Sequence, residues 1–452
     1  MKEIEQDLQQ VVGKDWVITK REQMESYLVD ETAPFVRPRP AADVVLVKPL
    51  NSQEVSAIIK IANDKRIPVF PRGGGTGLVG GAIPTRNGII LSTERMDEIE
   101  IDKENLMAVV GAGATLEKLL GKVEDAGLSF PLHPGSEGAF IGGLVACNAG
   151  GARAVKHGIA RNYVKGIEVV FPTGEIVNLG GKLLKDNAGY NLMHLMIGSE
   201  GTLGVITKVV FRLHPKSGSV ATLIVPYENR HDAINTVPKI LQSDSVPLAI
   251  EYVEKYTIEK SAEHLNKKWP CKDGNAFLII MLEGASIEEI YSEGEKIVET
   301  CQKNNSLEPL IAESREERDR ILDIRSNIYT SLKNETADIL DVAVPPANMG
   351  KLLDAIDGIA EKFGSQIPAY GHAGDGNLHP HVMMESDPEN IKRMKSEIYR
   401  AATDLGGTIT GEHGTGKIRV SDLSLYLSEK ENQLMAGIKK LFDPNNILNP
   451  LD

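Results

Sequence analysis

The sequence predicts an α+β protein of two or three domains, and three observations lead there. A chain of 452 residues is longer than one hydrophobic core usually serves. From residue 44 onward, short β-branched apolar runs alternate with amphipathic helical stretches. After Pro215 the texture changes to strands separated by highly charged helices, which suggests a second unit with an antiparallel sheet.

The elements follow in order. Residues 1–35 read as polar and helical. "VVLVKPL" (44–50) is a strand. "SQEVSAIIKIANDKRI" is a helix with Ser52 as its N-cap and Val55, Ile58, Ile59 and Ala62 on one face. "PVFPRGGG" is a short strand running into a glycine loop, and "GIILST" (88–93) is another strand. "LMAVVGAGATLEKLLGKVEDAG" reads strand, turn, helix. "GIEVVFPTGEIVNLG" reads as a hairpin turning near Thr173-Gly174. "GTLGVITKVVFRLHP" closes this half with a long strand. Beyond it, "ATLIVPY" and "AFLIIMLEG" are strands, while "IEEIYSEGEKIVETCQ" and "SREERDRILDIRSNIYTSLK" are helices. "PPANMGKLLDAIDGIAEKFG" is a capped helix, and a glycine-rich turn and the helix "SEKENQLMAGIKKLF" end the chain.

Composition narrows the function. An apolar share of 41% with 25% charged residues is ordinary for a soluble globular protein. A formal net charge of −13 opposes nucleic acid as a partner. Cys147, Cys271 and Cys301 are far apart and form no CxxC, so this chain alone is expected to hold no iron–sulfur cluster. The start, "MKEIEQDLQQ", lacks a secretory or transit pattern, and "AFLIIML" is too short to span a bilayer. A cytoplasmic protein with no transmembrane segment is the expectation.

"PRGGGTGLVGGA" (71–82) holds six glycines and includes Gly75-x-Gly77-x-x-Gly80, the dinucleotide fingerprint. A Rossmann site needs a crossover helix after those glycines. Here "AIPTRNG" follows and then a strand, so Pro84 and Asn87-Gly88 leave no room for one. Backbone N–H groups of such a loop still suit a phosphate. "HPGSEGAFIGGLVACNAGG" (133–151) and "IGSEGTLGVIT" (197–207) add further small residues, among them Gly150 and Gly151. One phosphate does not need three such loops; a large dinucleotide with a ring system does.

These three stretches resemble the flavin loops of the vanillyl-alcohol oxidase-type FAD fold. Within it the chain is similar to the branch of GlcD-type glycolate oxidases and D-lactate dehydrogenases, from about residue 38 to the end. The resemblance implies a two-subdomain FAD-binding domain (38–216) after an N-terminal helical segment (1–37). It also implies an α+β cap (217–408) and a C-terminal segment (409–452) that returns to the flavin. It places Pro71, Arg72, Gly73, Gly74, Gly75, Thr76, Gly77, Gly80 and Gly81 around the diphosphate. Pro134, Gly135, Ser136, Gly142 and Gly143 border the flavin, with Gly138, Ala146, Asn148 and Gly158 in the same half. Gly204 and Ile206 lie near the adenine side, Glu200 and Gly201 of the third loop also bind the cofactor, and Asn449 joins from the C-terminal end. The first loop has no histidine to tether FAD, so the cofactor is expected to be dissociable.

A second constellation lies near the end. "GHAGDGNLHPHV" carries His372, His379 and His381, and "TGEHGTGK" carries Glu412 and His413. His379 and His381 are two apart and share a strand face. Imidazoles with a carboxylate suit zinc, iron or manganese. By resemblance, His372, His379 and Glu412 bind a divalent metal, His413 is the base, and Asn377 belongs to the same catalytic motif. Arg325 matches the position that binds a substrate carboxylate, with Tyr329 beside it. On a charged helix, Arg325 could equally be an i,i+4 ion-pair residue. Relatives acting on a longer diacid carry a lysine where "ADILDVAVP" has Ile339 and Leu340, which favours a short monoacid such as D-lactate or glycolate. The expected acceptor is external: an electron-transferring flavoprotein or an iron–sulfur subunit. Three alternatives stay open: a D-2-hydroxyglutarate-type dehydrogenase, a metal hydrolase using the histidines, and a non-catalytic flavin relay.

Overall fold

The computed structural model describes residues 2–450 apart from 217, 244, 245, 313 and 386. Its first layer is a sheet in which Val44–Val47, Gly88–Ser92 and Val69–Arg72 run parallel in that order, with Val17–Ile18 antiparallel at the edge. Helix Ser52–Lys65 makes the crossover and buries Val55, Ile58, Ile59 and Ala62. Its cap is Asn51, not Ser52: the Asn51 backbone is extended and its side chain accepts from the Glu54 N–H, leaving Ser52 as the first helical residue. The N-terminal stretch is helical only over Lys2–Val12. At Gly13 the backbone turns to φ +87°, and short 3₁₀ turns follow instead of a continuous helix.

The second layer is an all-antiparallel sheet ordered Ile99–Asp102, Met107–Gly111, Val205–Arg212, Val164–Val170, Ile176–Gly180. The hairpin turns at Gly174 as its sequence suggests. Helix Leu116–Asp125, capped by Thr115, packs Leu116, Leu119 and Val123 into this layer's core.

The cap is a larger antiparallel sheet. Its order is Leu310–Ala312, Ser219–Tyr227, Ala276–Gly284, Ala249–Glu254, Ala369–His372, Asn377–Met383, Thr336–Ile339. Helices Arg230–Leu241, Ile287–Gln302, Met349–Phe363 and Pro388–Asp404 cover one face. On the other face, Lys255–His264, Arg315–Ser326 and Ile328–Leu332 cover part of the sheet, and the remainder lines a cavity shared with the glycine loops. The stretch read as one helix from 314 to 333 breaks at Asn327, whose amide bonds back to Asp323.

Residues 408–450 tie both units together. Thr408 and Thr410 bridge to Ala343 and Asp341 in the cap. Glu200 accepts from the Thr415 and Gly416 N–H groups. Helix Glu429–Phe442 lays Ile438 and Phe442 on the five-stranded layer, and Leu448 pairs with Val69.

Candidate active site between the glycine loops and the cap sheet

A cavity of about 1800 Å³ separates the two units. That exceeds the roughly 300–1,000 Å³ of an ordinary ligand pocket, so a large cofactor and a substrate fit together. Its floor is the first glycine loop, from Pro71 through Gly77 and again at Gly81. Pro134, Gly135, Ser136, Gly142, Gly143 and Ala146 form one wall, and Glu200, Gly201, Gly204 and Ile206 form another. A Cβ built at Gly77, Gly135 or Gly143 meets no atom within 4 Å. Bare backbone there faces open space, as a cradle for a flat or extended group requires. The loop joining Val69–Arg72 to Gly88–Ser92 contains no helix, so the Rossmann arrangement is absent, as its sequence context predicts.

Six expected cofactor or catalytic positions support this lining from behind rather than forming it. Gly80 N–H donates to Thr32 Oγ1, and Gly138 lies against Gly74. Asn148 accepts from the Arg161 N–H, and Gly158 packs on Asn162. Asn449 donates to the Gly81 and Glu200 carbonyls and accepts from Lys417, clamping the chain end onto the glycine loop. Asn377 donates to Asp341 Oδ1 at 3.0 Å and to the Val342 carbonyl.

Within the loop, Gly75 has φ +72°, and a Cβ there would sit 2.2 Å from Arg72 Nη2. Arg72 is buried over the Tyr27 ring and donates to the Ser26 carbonyl. Gly75→Val is therefore expected to displace Arg72 and empty the cradle. Flavin content of the purified variant, read from its visible absorbance, checks this; a fully flavinated variant contradicts it.

The cap supplies the opposite wall. Strand register places Glu251 beside His372, and Tyr370 beside His379, so these side chains share the cavity-facing side of the sheet. His372 Nδ1 is 2.7 Å from Glu251 Oε1. Glu251 Oε2 in turn lies 2.5 Å from Arg325 Nη2, and the Arg325 guanidinium stacks over Tyr370 at 4.7 Å. The Nε2 atoms of His372, His379 and His413 lie 3.1, 3.6 and 4.0 Å from a single oxygen, Glu412 Oε1. His413 stacks on His379, with centroids 4.9 Å apart. His381 stays apart: its Nδ1 bonds Thr336 Oγ1 at 2.8 Å, and it does not line the cavity. Tyr329 lines the cavity with its hydroxyl donated to the Glu31 carbonyl.

Three residues that the sequence reading did not single out organise this cluster. Glu251 is an acid inside the apolar strand Ala249–Glu254. Asp341 is fully buried, and its Oδ2 accepts from the N–H groups of Glu412 (2.9 Å) and His413 (2.7 Å) and from Thr410 Oγ1. Arg419, also fully buried, donates to the Ile339 and Gly414 carbonyls and faces Asp341 at 3.7 Å. Asp341→Asn is expected to lower stability by about 1–3 kcal/mol, because an amide cannot serve these donors and Arg419 together. The denaturant midpoint of the variant against the parent measures it.

Burial drives each of these groups toward its neutral form. It prevails at His379 and His413, which lie below the ordinary imidazole range. At His372 burial is overcome by Glu251 and Glu412, and its pKa rises well above that range. At Glu412 burial is overcome chiefly by His372, which holds the carboxyl at about 2.

The donor set fits a divalent cation. One ligand atom from each of Asp341, His379, Glu412 and His413 lies within 4.8 Å of the others, and His372 joins through Glu412. The Nδ1 atoms of His379 and His413 are buried without a hydrogen-bond partner. Glu251 behind His372 matches the usual outer support of a metal-binding histidine, and Asp341 lies 3.6 and 4.0 Å from the Nδ1 atoms of His379 and His413. The bonds already committed at Asp341 make it a holder of the loop 410–413.

Comparison with known proteins agrees with this layout. Residues 44–180 match the family described as "FAD binding domain", and residues 216–451 match "FAD linked oxidases, C-terminal domain". The D-lactate dehydrogenase of Archaeoglobus fulgidus is 43% identical over 94% of this chain and 95% of its own length. The glycolate oxidase subunit GlcD of Bacillus subtilis is 37% identical over 90% of this chain and 87% of its own. The crystal structure of p-cresol methylhydroxylase shares the fold, with a TM-score of 0.79 and 18% identity over 99% of this chain and 96% of that one. The chain therefore belongs to the FAD-linked oxidases with a p-cresol methylhydroxylase-type FAD-binding fold, in the branch that holds D-lactate dehydrogenase and the GlcD-type glycolate oxidases.

Proposed function

We propose that this FAD-dependent 2-hydroxyacid dehydrogenase oxidises a short (R)-2-hydroxy monoacid, D-lactate or glycolate, to the 2-oxo acid. The observation that carries the reading is the convergence of Arg325, His413 and the His372–His379–Glu412 group on the cavity that the glycine loops line. When bound, FAD supplies the hydride acceptor at N5, and a divalent ion (zinc, iron or manganese) supplies Lewis acidity at the substrate hydroxyl.

The chain's own residues do the rest. His372, His379 and Glu412 hold the ion. His413, kept neutral by burial, takes the hydroxyl proton. Arg325 receives the substrate carboxylate, its planar guanidinium held in place by Glu251 and Tyr370. Tyr329 lines the same cavity. The first loop holds the diphosphate without a covalent tether. Ile339 lines the cavity and offers no cation to a second carboxylate, which weighs against 2-hydroxyglutarate. Electrons leave to an external acceptor, a soluble electron-transferring flavoprotein or an iron–sulfur subunit. Among the described residues, no helix is long and apolar enough to cross a membrane.

Anaerobic titration of the flavin-loaded protein with D-lactate, glycolate and D-2-hydroxyglutarate tests this reading. Bleaching by the two monoacids ahead of the diacid is expected. A flavin that no 2-hydroxy acid bleaches overturns the proposal. Chelator-sensitive ester or amide cleavage without flavin would favour the hydrolase reading, which leaves the glycine loops without a task.

A further inference from the structure

Above the polar centre, three separate stretches of chain present the same sequence of layers. Along the cap sheet, Glu251 belongs to the centre. Two residues back is Ala249, which pairs with Met281, and two residues beyond Met281 is Glu283, which pairs with Val220 and meets Lys156 and His157. Along helix Arg315–Ser326, Arg325 belongs to the centre. One turn back is Leu322, and one further turn back is Arg318, which donates to the Val220 carbonyl. Along the end of the second glycine stretch, Gly150 abuts Glu412, Ala152 lies two residues on, and Arg153 then faces Glu283 and Glu137. Each stretch reads polar centre, apolar step, charged rim.

The apolar steps coincide in space. Leu248, Ala249 and Met281 form a small buried cluster of their own, with Ala152 and Leu322 packed against it. Leu248, Met281, Leu322 and Ala152 all line the cavity, whereas Glu283, Arg318 and Arg153 line it at the charged rim. The rise of a strand puts Ala249 about 7 Å from Glu251, and three helical residues put Leu322 about 4.5 Å along the axis from Arg325. A 2-hydroxy acid whose carboxylate rests on Arg325 thus lies within one helical turn and two strand residues of this band.

From this we infer that the band of Ala152, Leu248, Met281 and Leu322 is the side-chain subsite of the dehydrogenase. It selects apolar chains longer than the methyl of lactate. This rests on the proposed oxidation of a 2-hydroxy monoacid at the same centre. The methyl of lactate reaches only the start of the band. Each further methylene leaves water for aliphatic contact, worth about fourfold in kcat/KM. A second carboxylate, as in 2-hydroxyglutarate, gains no cation from the four side chains of the band, just as it gains none from Ile339.

The test is kcat/KM of the holoenzyme, with an artificial dye as acceptor, for D-lactate, D-2-hydroxybutyrate, D-2-hydroxyvalerate and D-2-hydroxyglutarate. A rise of about fourfold per methylene is expected, with the glutarate below lactate. Leu322→Ser is expected to flatten the gradient with chain length. Ala152→Leu, which narrows the band and does not depend on the helix, is expected to invert it. A flat or falling gradient in the parent, a preference for the diacid, or a gradient left intact in both variants overturns the assignment. If no 2-hydroxy acid reduces the flavin at all, the fault lies with the proposed reaction; if lactate works and longer chains gain nothing, only the subsite fails.

Discussion

His413→Asn is expected to slow substrate-driven flavin reduction by about 10²–10⁴-fold, the usual contribution of a positioned proton acceptor. Asparagine keeps the backbone bond from residue 413 to Asp341 and offers polar atoms of similar reach, so the loop 410–413 stays anchored. It cannot accept a proton at neutral pH. The loss should fall on kcat with KM nearly unchanged, because Arg325 rather than His413 meets the substrate carboxylate in the proposed arrangement. Anaerobic stopped-flow reduction of the flavin by D-lactate measures it directly. A relay protein whose chemistry lies elsewhere would show no such loss, and unchanged reduction removes His413 from the mechanism.

The parts of this site that are legible in the sequence are those written in consecutive residues. Three glycine loops and two histidine-bearing motifs each declare themselves within about twenty positions, and they meet at one cavity. The residues that escaped notice act across the chain. Glu251 reaches His372 over 121 positions, and Asp341 reaches the His413 N–H over 72. Each leaves a trace in the sequence: an acid set within an apolar run must have a partner. Arg325 carried another trace. Its neighbours three and four residues away are Ile321, Leu322, Ile328 and Tyr329, so an i,i+4 ion pair was never available. The partner comes instead from the cap sheet. The fold departs from its sequence pattern at the same local scale. Asn51 and Ser52 are both good caps, and only the backbone decides that the turn begins at Asn51.

Glu251→Gln is expected to weaken divalent-metal binding by about 10–100-fold, although Glu251 is not itself a proposed ligand. Its carboxylate holds His372 Nδ1 at 2.7 Å and so turns Nε2 toward Glu412. It also balances Arg325 at 2.5 Å. The neutral amide can accept from one of these groups, but it supplies no charge to either. His372 then loses the partner that makes it a strong donor to a cation, and Arg325 is freed to swing toward Glu412. Two readouts separate these consequences. Competition with a chromophoric chelator reports the metal affinity. KM for D-lactate reports whether Arg325 still presents its guanidinium to the carboxylate. A variant that keeps the parent's metal affinity removes Glu251 from the support of the ion. A parent protein that takes up no divalent ion during loading defeats the metal assignment itself, and the histidine cluster would then have to act through His413 and Arg325 alone.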